Sequence, residues 1–103
     1  MFFDKKRYIV PIKGGKGSVN SEGMRGMTEQ FIVIPQTEDT VWDLTLVDKE
    51  SDELAEYKNH KGRLDDRRGL PLGKDKTEKV TISFTNVSRN EDIKVIFKIR
   101  EIS

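Results

Sequence analysis

Apolar and polar residues alternate most clearly between Lys79 and Ile102. Val80, Ile82 and Phe84 alternate with Thr81, Ser83 and Thr85. After the turn-like run from Val87 to Asp92, Ile93, Val95, Phe97 and Ile99 alternate with Lys94, Lys98 and Arg100, and Ile96 breaks the alternation. A period of two gives a strand one buried and one wet face, so this stretch predicts two β-strands joined as a hairpin.

The same reading extends to the rest of the chain. Tyr8, Val10 and Ile12 alternate around Ile9 and Pro11 and predict a strand near residues 6–13. Pro11 lacks an amide hydrogen, which places that strand at a sheet edge or at a bend. Gly14, Gly15 and Gly17 end it, and residues 14–27 read as a long polar, glycine-rich loop. Phe31-Ile32-Val33-Ile34 is continuously apolar and predicts a central strand, Thr28 to Pro35, covered on both faces. Trp42, Leu44 and Leu46 predict a further strand with the tryptophan in the core. The segment from Leu54 to Asn59 has a helix-prone composition, but it is too short to hold as a helix alone, and strand is favoured. Residues 60–75 read as a second long loop, with Leu64, Leu70 and Leu72 as candidate anchors and Pro71 opposing a central strand. The expected fold is all-β: one domain over residues 1–103, an antiparallel β-sandwich of jelly-roll or Ig-like type with about six to eight strands.

Composition narrows the function classes. Charged residues make up 36% of the 103 residues and apolar ones 34%, so the core is thin and the surface well solvated. Nineteen basic against 18 acidic side chains leave a net charge of +1, without the basic excess of a duplex-binding domain, so nucleic acid is not an expected partner. The absence of cysteine removes disulfides, thiolate metal sites and cysteine nucleophiles. The first residues, Met-Phe-Phe-Asp-Lys-Lys-Arg, have the wrong shape for a secretory signal. No stretch approaches the roughly 20 apolar residues of a membrane helix, which predicts a soluble protein.

Candidate chemistry is sparse. Gly14-Gly15-Lys16-Gly17-Ser18 lacks both the spacing and the following helix of a phosphate-binding loop and reads as a hairpin loop. Asp48, Glu50, Asp52 and Glu53 space oxygen ligands as calcium loops do. However, Glu53 stands where the loop needs glycine and Asn59 where it needs glutamate. The stretch therefore reads as a solvated acidic loop. His60, the single histidine, has Asp65 and Asp66 as candidate orienting carboxylates but no nucleophile beside it. Asn86-Val87-Ser88 matches the glycosylation sequon and, without a signal, reads as chance. No catalytic residue, cofactor or metal site is expected.

Two segments carry contact chemistry instead. Met24 and Met27 flank Arg25 and Gly26, and methionine suits either core anchoring or an adaptable partner surface. Arg63, Asp65, Asp66, Arg67 and Arg68 form a dense mixed-charge run whose guanidinium forks can lock a loop internally or dock it on an acidic neighbour. The partner-contact candidates are Met24, Arg25, Met27, Arg63, Arg67 and Arg68.

Two stretches taken together resemble a known family. One is Glu22-Gly-Met-Arg-Gly-Met-Thr-Glu-Gln-Phe-Ile-Val-Ile-Pro35, followed after a short turn by Trp42-Asp-Leu-Thr-Leu46. The other is the polar loop leading into Glu78-Lys-Val-Thr-Ile-Ser-Phe84 and a last strand that ends the chain. Over residues 22–102 the pattern and length resemble the small all-β virion proteins of tailed bacteriophages. The resemblance implies a non-enzymatic structural protein of a phage particle, a capsid decoration or a neck or tail component. It would be assembled in the host cytoplasm and act through repeated contacts with other virion proteins and copies of itself, away from membranes. It assigns a role to no single residue. The alternative from another class is a monomeric β-sandwich that binds a ligand, most plausibly carbohydrate, with Tyr8 and Tyr57 as its available aromatics once Trp42 is buried. A nucleic-acid-binding barrel is a third reading, weakened by the net charge.

Overall fold

A computed structural model describes residues 3–100. Nine strands run in the order β1 (Phe3–Pro11), β2 (Gly17–Asn20), β3 (Met24–Ile34), β4 (Val41–Val47), β5 (Glu53–Lys61), β6 (Leu64–Asp66), β7 (Pro71–Glu78), β8 (Thr81–Thr85) and β9 (Asp92–Arg100). They pair antiparallel into two sheets packed face to face as a sandwich. One has the order β1-β9-β3-β6, with β7 also paired to β3; the other has the order β2-β8-β4-β5. The all-β sandwich is thus the fold that the alternation predicts. The strand count lies above the expected six to eight because the two stretches read as loops are partly paired. Residues 14–27 contain β2 and the start of β3, and residues 60–75 contain the end of β5, β6 and the start of β7. The expected end of the last strand at Ile102 lies outside the described residues.

One core joins the sheets. Val10, Phe31, Val33, Val95 and Phe97 enter from one sheet and Trp42, Leu44, Leu46, Ile82 and Phe84 from the other, all essentially without exposure. Each such side chain gains about 1.5–3 kcal/mol from burial. Phe31 and Phe97 pack at 4.9 Å, Trp42 and Phe84 at 5.6 Å, and Phe31 meets Tyr57 of the opposite sheet at 5.8 Å. The Trp42 indole donates from Nε1 to the Gly62 carbonyl at 2.9 Å, so its polar atom is satisfied inside the core. Pro11 closes β1, which is an edge strand, as its missing amide requires. Gly14 and Gly15, at φ 62° and 77°, turn the chain between Lys13 and Lys16, the geometry of a tight hairpin turn.

The terminal pair of strands is a correction to the hairpin. β8 pairs with β2 and β4, whereas β9 lies in the other sheet between β1 and β3. Alternation fixes which side of a strand is buried, not which strand lies beside it. Here the apolar faces of β8 and β9 meet across the core. The crossing segment is tied to two other turns and to the start of β4. Val87 N donates to the Gly15 carbonyl at 2.9 Å, Ser88 N to the Val41 carbonyl at 2.9 Å, and Glu91 accepts from Thr37 N and Thr40 Oγ1 at 3.0 Å each. Burial acts to raise the Glu91 carboxyl pKa, but the hydrogen bonds from Thr37 and Thr40 outweigh it and leave the group below its ordinary range.

Candidate functional site

β3 and the β6–β7 link build one shallow depression of about 230 Å³, lined by Met27, Thr28, Glu29, Arg67, Arg68, Gly69 and Arg100. The β3 side is shaped by an irregularity between Thr28 and Gln30, where the pairing with β9 shifts register. The opposite side is latched to it through Thr28. Leu70 N donates to Thr28 Oγ1 at 2.7 Å, and Thr28 N donates to the Leu70 carbonyl at 2.9 Å. Gly69 sits at φ 82°, and a Cβ there would lie 3.3 Å from the Met27 sulfur. Glycine therefore permits both the turn and the close seating of Met27.

Asp66 holds the link in place. Its side chain is 6% exposed and accepts from the Tyr57 hydroxyl at 2.7 Å, from Arg68 N at 2.9 Å, and from Arg68 Nη2 at 2.7 Å and Nε at 2.9 Å. The Arg68 fork holds the Asp66 carboxyl down at about 2, against the burial that would raise it. Burial, and after it the neighbouring Asp66, push the Tyr57 phenol up. The Arg68 guanidinium, on a side chain 70% exposed, lies 5.8 Å from the centre of the Tyr57 ring. Arg67 pairs with Asp65 at 3.5 Å, and Arg100 pairs with Glu29. These contacts make the depression a pre-set surface lined by an exposed methionine and paired arginines.

The fold brings some sequence candidates together and separates others. Met27, 42% exposed, meets Arg67 and Arg68 here, although some forty residues separate the two segments. Arg25 is exposed two residues before Met27 on β3. Met24 is corrected: at 2% exposure it packs in the core cluster, because β3 begins there and its alternation turns Met24 inward. Arg63 is exposed at the far end of β6, beside Leu64 paired with Val33, and does not join the depression. Glu29 and Arg100 had no signal in the sequence, since only the β3–β9 pairing puts them side by side.

The remaining motifs resolve into structural roles. His60 Nε2 lies 2.8 Å from the Arg63 carbonyl and its ring packs 4.9 Å from Trp42, so neither Asp65 nor Asp66 orients it. Asp48 Oδ1 accepts from Glu50 N and Asp52 N at 2.9 Å each, an Asx turn that shapes the acidic link. Among the described residues, no three carboxylate or histidine side chains converge as a metal site would require. Asn86 donates from Nδ2 to Asp43 Oδ2 at 2.8 Å, which occupies the sequon nitrogen. No model of a known protein family matches the chain. No curated protein matches it either.

Proposed function

We propose that this chain is a non-enzymatic structural protein of a phage particle that acts through repeated contacts with other virion proteins and with copies of itself. The observation that carries this reading is the convergence of Met27, Arg67 and Arg68 on one exposed, internally braced depression. A surface whose arginines are already held in position loses little side-chain freedom on docking, and an exposed methionine adapts to an irregular partner. The pattern-level resemblance to small all-β virion proteins supplies the setting, a particle assembled in the host cytoplasm.

The carbohydrate-binding alternative loses its stacking platform among the described residues. Trp42 and Tyr57 are buried, and Tyr8 packs edge-on against Phe97 at 6.0 Å. Quantitative mass spectrometry of purified virus particles tests the proposal. A fixed copy number per particle, at a multiple of three, five or six, is the expected result. Absence from particles, with the protein free in the lysate, would overturn it.

A further inference from the structure

Among the described side chains, two large apolar ones stay exposed: Met27 at 42% and Ile9 at 54%. Both point outward from the β1-β9-β3-β6 sheet, at opposite ends of one face. Met27 stands opposite Arg100 of β9, whereas Ile9 stands opposite Lys94, which in turn stands opposite Ile34 of β3. Arg100 and Lys94 are six residues apart, so about 20 Å separates the two rows. At the Met27 end lies the depression of about 230 Å³. At the Ile9 end a groove of about 240 Å³ is lined by Ile9, Ile34, Pro35, Gln36, Asp92 and Lys94. Each exceeds the roughly 150 Å³ of an apolar cavity that holds benzene, so each admits one large side chain. The apolar run Phe31-Ile32-Val33-Ile34 predicts cover on both faces. Ile32 has it, at 9% exposure, but Ile34 stays partly exposed.

We infer that these two ends are each other's partners: Ile9 of one copy enters the depression beside Met27 of a second copy, and the Met27 side chain takes the groove beside Ile9. The inference rests on the proposed assembly surface and names what docks there. A β-branched isoleucine is a stiff knob, and methionine adapts to irregular gaps. Charge is complementary at the border. Asp92 is exposed at the groove and forms no ion pair among the described residues. Around Met27, Arg68 gives Nε and Nη2 to Asp66, and Arg67 reaches Asp65 through Nε, which leaves other guanidinium donors for a carboxylate. Each side also carries the opposite sign, with Lys94 at the groove and Glu29 at the depression. Lys5 and Arg7 lie between the two ends on the same face. A full face-on-face overlay would set these cations against those of the partner, so the contact is staggered, end on end. Such a contact joins two different patches and leaves one of each open, so copies add in a row.

The test is sedimentation velocity of the full chain over a wide range of concentration. The unchanged protein is expected to grow past the dimer, without a plateau, as concentration rises. Met27→Asp and Ile9→Asp, each placing a charge in the apolar contact, are expected to weaken association at least ~10-fold. Ser18→Asp, on the outer face of the other sheet, is expected to leave it unchanged. Thermal melts confirm that all three variants are folded. An equal mixture of Met27→Asp and Ile9→Asp restores one intact contact per pair and is expected to form dimers that grow no further. Three results would overturn the inference: an unchanged protein that stays monomeric, one that stops at the dimer, or a mixture no more associated than its components. A monomeric chain with a fixed copy number in particles would overturn this inference alone. Growth in a row by a chain absent from particles would leave it standing and overturn the virion reading.

Discussion

On the outer face of the β1-β9-β3-β6 sheet, Lys5, Arg7, Lys94 and Lys98 stand beside Ile32 and Ile96; on the outer face of β2-β8-β4-β5, Ser18, Ser83, Thr45 and Glu56 lie in one row across four strands. The second face satisfies itself. Ser18 and Ser83 hydroxyls meet at 3.2 Å, Thr81 donates to Asn20 at 2.7 Å, and Lys58 lies 3.3 Å from Glu56. The first face places like charges side by side. Both strings of residues read as "polar" along the chain, so the alternation that predicts the strands is blind to this difference. Net charge is blind to it as well, because it averages over faces. What separates the two faces is pairing, which exists only once the strands are beside one another.

The widest test of this comparison is whether the faces belong to one cooperative unit. Trp42 comes from the hydroxyl-bearing sheet, but it packs at 6.4 Å on Tyr57 and 5.6 Å on Phe84 in the core that both sheets share. Trp42→Ala is expected to cost about 3–5 kcal/mol in urea denaturation, with one transition followed alike by far-ultraviolet circular dichroism and tyrosine fluorescence. Two separated transitions would mean that the sheets hold independently.

A sharper test compares one buried carboxylate from each sheet. Asp66 accepts from Tyr57 and Arg68, whereas Asp43 accepts from Asn59 N at 2.8 Å and Asn86 Nδ2 at 2.8 Å. Removing a charge that holds a guanidinium fork costs more than removing one that accepts neutral amides and has only the exposed Lys58 ammonium 4.0 Å away. Asp66→Asn is therefore expected to lose about 2–3 kcal/mol and Asp43→Asn about 1 kcal/mol. The same groups set the acid limb. The folded Asp66 carboxyl sits at about 2 against an ordinary 3.8, and the hydrogen bonds from Asn59 and Asn86 also depress Asp43. A depressed carboxyl stabilises the fold above its unfolded value and loses that contribution as pH falls through the folded one. Stability should therefore drop between pH about 4 and about 2, by roughly 2 kcal/mol for Asp66. In Asp66→Asn that part of the acid limb should disappear; an unchanged limb would assign it to other carboxylates.

Legibility from sequence follows the same division between burial and pairing. β1, β3, β4, β8 and β9 were each visible because one face of each meets a shared core, and β5 was favoured over a helical turn by its length. β2, β6 and β7 were not visible: β2 has four residues, only half of them partly covered, β6 has three, and β7 opens on Pro71 in a polar, glycine-containing stretch without clear alternation. Leu70 and Leu72 anchor the second presumed loop as expected, both buried. The assembly surface was half legible. Arg67, Arg68 and Met27 announced themselves by residue type, while Met24 was indistinguishable from Met27 until the start of β3 fixed which of them faces inward. Glu29 and Arg100 required the β3–β9 register.

The smallest expected effect asks whether crowding cations on one face carries a folding cost. Lys5 opposes Lys98 in the β1–β9 ladder, and Arg7 lies diagonal to two lysines. Each such contact works against the fold by a few tenths of a kcal/mol at low ionic strength and is screened when the Debye length falls to about 3 Å near 1 M salt. Lys5→Gln/Arg7→Gln is therefore expected to leave stability unchanged or raise it by up to about 0.5 kcal/mol at ~10 mM salt, with the difference vanishing at ~1 M. Lys58→Gln on the other face should do the reverse, since it removes an attraction to Glu56 and leaves a slightly weaker fold at low salt. Urea titrations of the three proteins at both salt concentrations read this directly. Opposite signs at low salt that converge at high salt would mean the two faces differ energetically as they differ in register. The same sign for both would mean that the cations of this face find compensation within the fold, and that their grouping carries no energetic cost.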